Sequence, residues 1–143
     1  MTEREISEWL ALDQQIPLQS IYEALCAGDI AAIDNYRMTL NAQKSELRLF
    51  LLKLRYMSYD LMFLSSCPDG RLADFEDYKN SQYGRFSLNS WNIRQMALEH
   101  GGYERFSKMY MHVNDALQRI SGASRKPFSY HEFLSGLTYV PSV

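Results

Sequence analysis

The residues of this chain best equipped for chemistry are its histidines, cysteines and clustered acids, and spacing sorts them quickly. Each of three histidines follows an arginine. Arg94 precedes His100 by six positions, Arg105 precedes His112 by seven, and Arg125 precedes His131 by six. Imidazole exchanges protons near neutral pH and guanidinium pairs with phosphate, so an Arg–His pair brought together has a use. No two histidines have ligand spacing and no HExxH occurs, which disfavours a helical zinc site. The acids Asp74, Glu76 and Asp77 could attract a hard cation, but they lack the EF-hand positions and read more simply as a solvated segment. Cys26 and Cys67 form no CxxC. Cys26 lies at the apolar C-terminal end of an expected helix, where a thiol is held protonated, so both cysteines read as small buried hydrophobes. Neither a GxGxxG nor a P-loop is present, nor a GxSxG elbow, and no metal or cofactor is expected.

The best of the Arg–His pairs is Arg94 and His100, in the stretch RQMALEH. It resembles the active-site signature of HEPN ribonucleases, all-helical domains of about this size in which an Arg is followed a few residues later by a His. The polar residue that usually follows the Arg would be Gln95. The resemblance covers this short motif and the fold class alone. It implies His100 as acid/base on a 2′-hydroxyl and Arg94 as the group that stabilises the phosphorane charge. The bland alternative is that His100, just before Gly101-Gly102, is a good last-turn residue interacting with the helix dipole.

Two surfaces could serve recognition instead. Tyr103, Met109, Tyr110, Met111, Tyr130 and Phe133 are too many aromatic and thioether side chains for one helix face. Some should face another segment or another chain, and Tyr with Met suits an adaptable interface. The bases Arg37, Lys44, Arg48 and Arg55 fall on one side of an expected long helix. They could grip an acidic partner or a phosphate backbone, or pair with the acids Glu3, Glu5, Glu8 and Asp13. The net charge of −2 argues against a general nucleic-acid binder.

The elements that must position these residues all read as helices. Thr2 with Glu5 makes a capping box for a first short helix, and Pro17 opens a second, closed by Gly28. From about Ile30 to Ser65, Tyr36, Leu40, Gln43, Leu47, Phe50, Leu54, Met57, Leu61 and Leu64 recur at spacings of four and three. This is a heptad seam with one polar break and no Gly or Pro, and it predicts one long central helix. Its second half is apolar on most sides, so residues 47–64 should be the hub of the core. Cys67-Pro68-Asp69-Gly70 stops it. A short helix around Leu72–Tyr78 and a loop over 80–86 are expected next. Then come a helix capped by Ser87 or Asn89 and closed by Gly101-Gly102, another ending at Gly122, and a last short one capped by Ser129 with Glu132. No strand-period alternation is present.

The expectation is therefore a single all-α domain over residues 1–143. It would be an irregular bundle of five to seven helices around a long central helix at about 30–65, with two short helices in 1–28 and further helices over 71–137. Hydrophobic residues make up 46% of the chain, enough for one core. The acidic N-terminus has no basic segment followed by an apolar run, and the longest apolar candidate, Leu47–Leu64, is broken by Arg48, Lys53, Arg55 and Asp60, so no membrane span is expected. Distant cysteines fit a reducing compartment, hence a cytoplasmic protein. The function expected is a small protein-binding module, such as an inhibitor, immunity protein, chaperone or adaptor, acting by steric occlusion. A HEPN-like ribonuclease is the first alternative and a nucleic-acid-associated regulator the second. The heptad seam also offers a route to a homodimer.

Overall fold

The computed structural model describes residues 18–42, 47–83, 89–123 and 125–138, with residue 18 and residues 40–42 and 78–83 given as helical backbone only. Short-range signals explain most helix boundaries. Helix α1 (Leu18–Ala27) stops at Gly28, and the Asp29 carboxylate accepts from the Ala32 amide at 3.2 Å, capping α2 (Ile30–Ala42). Helix α3 (Leu47–Ser66) runs into Cys67-Pro68, and a single 3-10 turn over Asp69–Arg71 leads to α4 (Leu72–Tyr83). Asn89 caps α5 (Ser90–Glu99) by accepting from the Asn92 amide at 3.0 Å. Gly101, at φ 112°, turns the chain into α6 (Gly102–Ile120) in a region that a side chain would strain. Ser129 caps α7 (Tyr130–Ser135), its hydroxyl accepting from the Glu132 amide at 3.4 Å. The expected helix from Thr2 and the cap at Ser87 lie outside the described residues. Of the loop expected over 80–86, residues 80–83 are helical in α4 instead, and 84–86 lie outside the described residues.

Among the described residues the protein has seven α-helices and no strand, arranged around one long helix. That helix is α3, which packs chiefly against α6 and then α5. The expected bound of 30 is corrected to 47. Fourteen residues of continuous helix would separate Tyr36 from Phe50 by about 21 Å, yet their rings meet edge-on at 6.1 Å. So α2 lies back alongside the start of α3. The heptad phase survives because both helices turn their seam residues into the same core. Tyr36, Phe50, Leu54, Met57, Leu61 and Leu64 are all buried within the chain. These seam residues thereby serve the chain's own core.

α3 is the hub expected of residues 47–64, and it buries polar groups too: Lys53, Ser58 and Asp60. Tyr22 of α1 donates to Asp60 Oδ2 at 2.6 Å, and the Ser58 hydroxyl donates to the Leu54 carbonyl at 2.7 Å. α3 and α6 run antiparallel. Phe50, early in α3, meets Tyr130 of α7, and α7 sits against His112 of α6; further along α3, Tyr59 meets Tyr110 of α6. α7 closes that end with Phe133 and Leu134, followed by Leu137, all buried. No described helix is long and apolar enough to cross a membrane.

Candidate functional site

The Arg94 and His100 side chains are turned to different neighbours. Helical spacing places them about 120° apart around the axis and roughly 9 Å along it. Arg94 Nη1 donates to Asp69 Oδ1 in the 3-10 turn after α3, and its guanidinium lies 5.7 Å from the Trp91 ring. His100 folds back on its own helix, its Nδ1 bonded to the Met96 carbonyl at 2.7 Å. That is the structural role foreseen for a last-turn histidine. The other two pairs are likewise divided. Arg105 donates to the carbonyls of Leu25, Cys26 and His100, while His112 Nε2 donates to the Phe133 carbonyl at 2.9 Å. Arg125 and His131 are both exposed, and neither is drawn into a shared cleft by any contact described.

The six aromatic and methionine candidates separate into three groups. Met109 and Phe133 belong to the core. Tyr130 is half-buried and anchors α7: its hydroxyl donates to Asp34 Oδ1 at 2.6 Å under the Arg37 guanidinium, which lies 4.4 Å from its ring centroid. That bond holds the Asp34 carboxyl below its ordinary range, and Arg37 adds to the effect. Burial, then the same bond, pushes the Tyr130 phenol up. Tyr103, Tyr110 and Met111 remain at the surface. Tyr103 is 53% exposed and Met111 66%, with Tyr110 half-buried beside Tyr59. Surplus aromatics in the sequence thus mark core, anchor and surface alike, and burial alone separates them.

The basic stripe is divided between α2 and α3. Arg37 is on α2 and paired with Asp34 at 3.2 Å. Arg48 and Arg55 are on α3, the second 5.4 Å from the Tyr56 ring. Lys44 lies outside the described residues. Two of the acids on α4 are engaged: Asp74 faces Arg71 at 3.6 Å, and Glu76 accepts from the Ser90 amide at 3.2 Å. Among the described residues no three His, Cys, Asp or Glu gather as metal ligands would. Cys26 and Cys67 are buried, and burial pushes the Cys26 thiol up to about 12 against the opposing pull of Arg105.

What remains as a recognition surface is the outer seam of α3 and α6. Tyr59 is 49% exposed and lies 5.9 Å, centroid to centroid, from Tyr110. Phe63, one turn along α3, is exposed and stacked at 5.8 Å on the buried Phe75 of α4. Tyr103, two turns before Tyr110, shares its face of α6. With α3 and α6 antiparallel, Phe63 and Tyr103 extend the strip in the same direction from the Tyr59–Tyr110 pair. Arg48 and Arg55 continue the same flank of α3 the other way, since steps of seven and four return to one side of a helix. Tyr59 and Phe63 fall within the stretch that is apolar on most sides, and a helix rich in apolar residues shows no outer face in its sequence. A second exposed pair, Trp91 and Leu98, shares the outer face of α5. Comparison with known proteins finds no matching family model, no matching curated protein and no matching solved structure.

Proposed function

We propose that the protein acts by binding another protein through the α3–α6 seam, as a cytoplasmic inhibitor, immunity protein, chaperone or adaptor does. The observation that carries this reading is the aromatic strip of the exposed Phe63, Tyr59 and Tyr103 with the half-buried Tyr110, on two packed, antiparallel helices. Large rings held by a packed scaffold lose little freedom on binding, and Tyr buries area while keeping its hydroxyl wet. The partner is a groove lined with apolar residues and edged with acids, which the exposed Arg48 and the half-exposed Arg55 would meet. Mechanism is occlusion: the strip fills the groove and the bulk of the bundle blocks whatever else would enter. The ribonuclease alternative draws no support from Arg94 and His100, which face different neighbours.

The test is affinity capture from the native host by the full chain, compared with a Tyr59→Ser/Tyr103→Ser double variant and a Met38→Ser control. A partner retained by the native chain and the control, and lost from the double variant, is the expected result. Equal capture by all three, or recovery of nothing but the chain itself, would sink the reading.

A further inference from the structure

A second site, independent of the aromatic seam, lies between α6 and the segment that leads into α7. It is a cleft of about 250 Å³. Its walls carry His112, Asp115 and Arg119 from α6, and Phe128, Ser129 and Glu132 from the other side. The volume falls just below the range of pockets for drug-sized ligands and suits a molecule of amino-acid size.

The polar groups are arranged with unused capacity. The Arg119 side chain is 23% exposed, and its Nε lies 2.9 Å from Asp115 Oδ2. The N–H is not aimed at that oxygen, so the contact is an ion pair and leaves the buried Nε without a hydrogen bond. A guanidinium presents five donors in a plane, and most of these are left for a planar acceptor such as a carboxylate. His112 is held by its Nε2 bond to the Phe133 carbonyl and by stacking on the Phe133 ring at 5.1 Å and 4°. In the neutral ring that leaves Nδ1 as an acceptor. The Ser129 oxygen accepts from the Glu132 amide, so its O–H stays available to donate. Asp115 is exposed, as is Glu132, and both line the cleft as carboxylates. The half-buried Phe128 ring, 6.2 Å from Phe133, supplies an apolar wall.

A simple anion would satisfy Arg119 but face two carboxylates. A simple cation would suit Asp115 and Glu132 but leave the Arg119 donors unmet. One small molecule carrying both charges and an apolar body satisfies all three. We propose that this cleft binds a free α-amino acid with an apolar side chain, its carboxylate on Arg119, its ammonium on Glu132 and Asp115, and its side chain against Phe128.

The experiment is an amide-resolved NMR titration of the full chain with L-leucine. Two truncated probes run beside it: 4-methylpentanoate, which lacks the ammonium, and isoamylamine, which lacks the carboxylate. Saturable shifts confined to residues around His112, Ser129 and Glu132 are expected with L-leucine. Each truncated probe should bind at least about tenfold more weakly, since each forfeits a charge-assisted contact. Arg119→Ala should weaken L-leucine about ten- to a hundredfold. Glu132→Gln, at an exposed position, should weaken it about tenfold. The Tyr59→Ser/Tyr103→Ser variant should bind L-leucine unchanged. Lack of a saturable response to L-leucine, or 4-methylpentanoate binding as tightly as L-leucine, or an unaltered affinity in Glu132→Gln, overturns the proposal.

Discussion

Arg105 joins three helices through one guanidinium. Its Nη1 donates to the Cys26 carbonyl at 2.6 Å and the His100 carbonyl at 3.0 Å, and its Nη2 to the Leu25 carbonyl at 3.1 Å. All three lie at the C-terminal ends of α1 and α5, at the negative end of the dipole; the Leu25 carbonyl also accepts from the Gly28 amide at 3.4 Å, while those of Cys26 and His100 lack a partner in their own helices. Arg105→Ala is therefore expected to destabilise the fold by about 2–4 kcal/mol, since the orphaned carbonyls are left part-buried. Arg105→Lys should recover only part of that, because an ammonium cannot reproduce the fork. Urea unfolding of the three proteins measures both. In the sequence Arg105 stood out only for its distance from His112, and nothing local showed that it would reach back some eighty residues. Gly136 is similarly silent. A Cβ there would fall on the His112 imidazole well inside van der Waals distance, although the backbone itself is ordinary helix. Gly136→Ala should cost about 1–3 kcal/mol through this overlap. The penalty should shrink when His112→Ala is added, a coupling that a double-mutant cycle reads directly.

At the scale of elements, helix identity was legible and helix direction was not. Caps at Asp29, Asn89 and Ser129, and stops at Gly28, Pro68, Gly101 and Gly122, are local chemistry that survives in the fold. The division into α2 and α3 left one weak mark in the sequence, the run Asn41–Glu46, the only six residues between 30 and 65 with no large apolar side chain. The heptad phase runs through it unchanged, so periodicity reported a single rod where two helices face one core. The pieces are then pinned by long-range contacts such as Tyr130 to Asp34, which no spacing rule reveals. That contact gives α7 a pH signature. Asp34 has a lowered native pKa, so its contribution is complete above the ordinary carboxylate range, about pH 4, and is lost as pH falls through the native value. Tyr130 has a raised one, so its contribution is complete below about pH 10 and is lost as pH rises towards the native value. Tyr130→Phe should lower stability by about 1 kcal/mol between pH 5 and 9, the modest end for a part-exposed bond. The gap to the native protein should narrow below pH 3.5 and again above pH 10.5. A gap that stays constant across that range in urea unfolding would remove the pair from the account.

For the whole molecule, the relevant balance is between apolar surface that folding uses and apolar surface that it leaves out. Six residues of the heptad seam, the strongest pattern in the sequence, are spent on the core: Tyr36, Phe50, Leu54, Met57, Leu61 and Leu64. The surface that remains was invisible because Tyr59 and Phe63 sit in an apolar helix next to residues that are buried, and Tyr103 looks no different in sequence from Phe106. The distinction is energetic and can be measured without knowing any partner. Tyr59 and Tyr103 contribute little to folding because about half of each stays wet. Tyr59→Ser with Tyr103→Ser should therefore shift stability by no more than about 1 kcal/mol. Phe133→Ser should cost about 3–5 kcal/mol, since its ring is buried against His112 and Phe128 and a hydroxyl would take its place. Such a contrast in urea midpoints at unchanged slope would mean that the α3–α6 rings are kept for something other than stability. If instead the double variant unfolds as readily as Phe133→Ser, those rings are part of the core, and a binding role for the seam has lost its foundation.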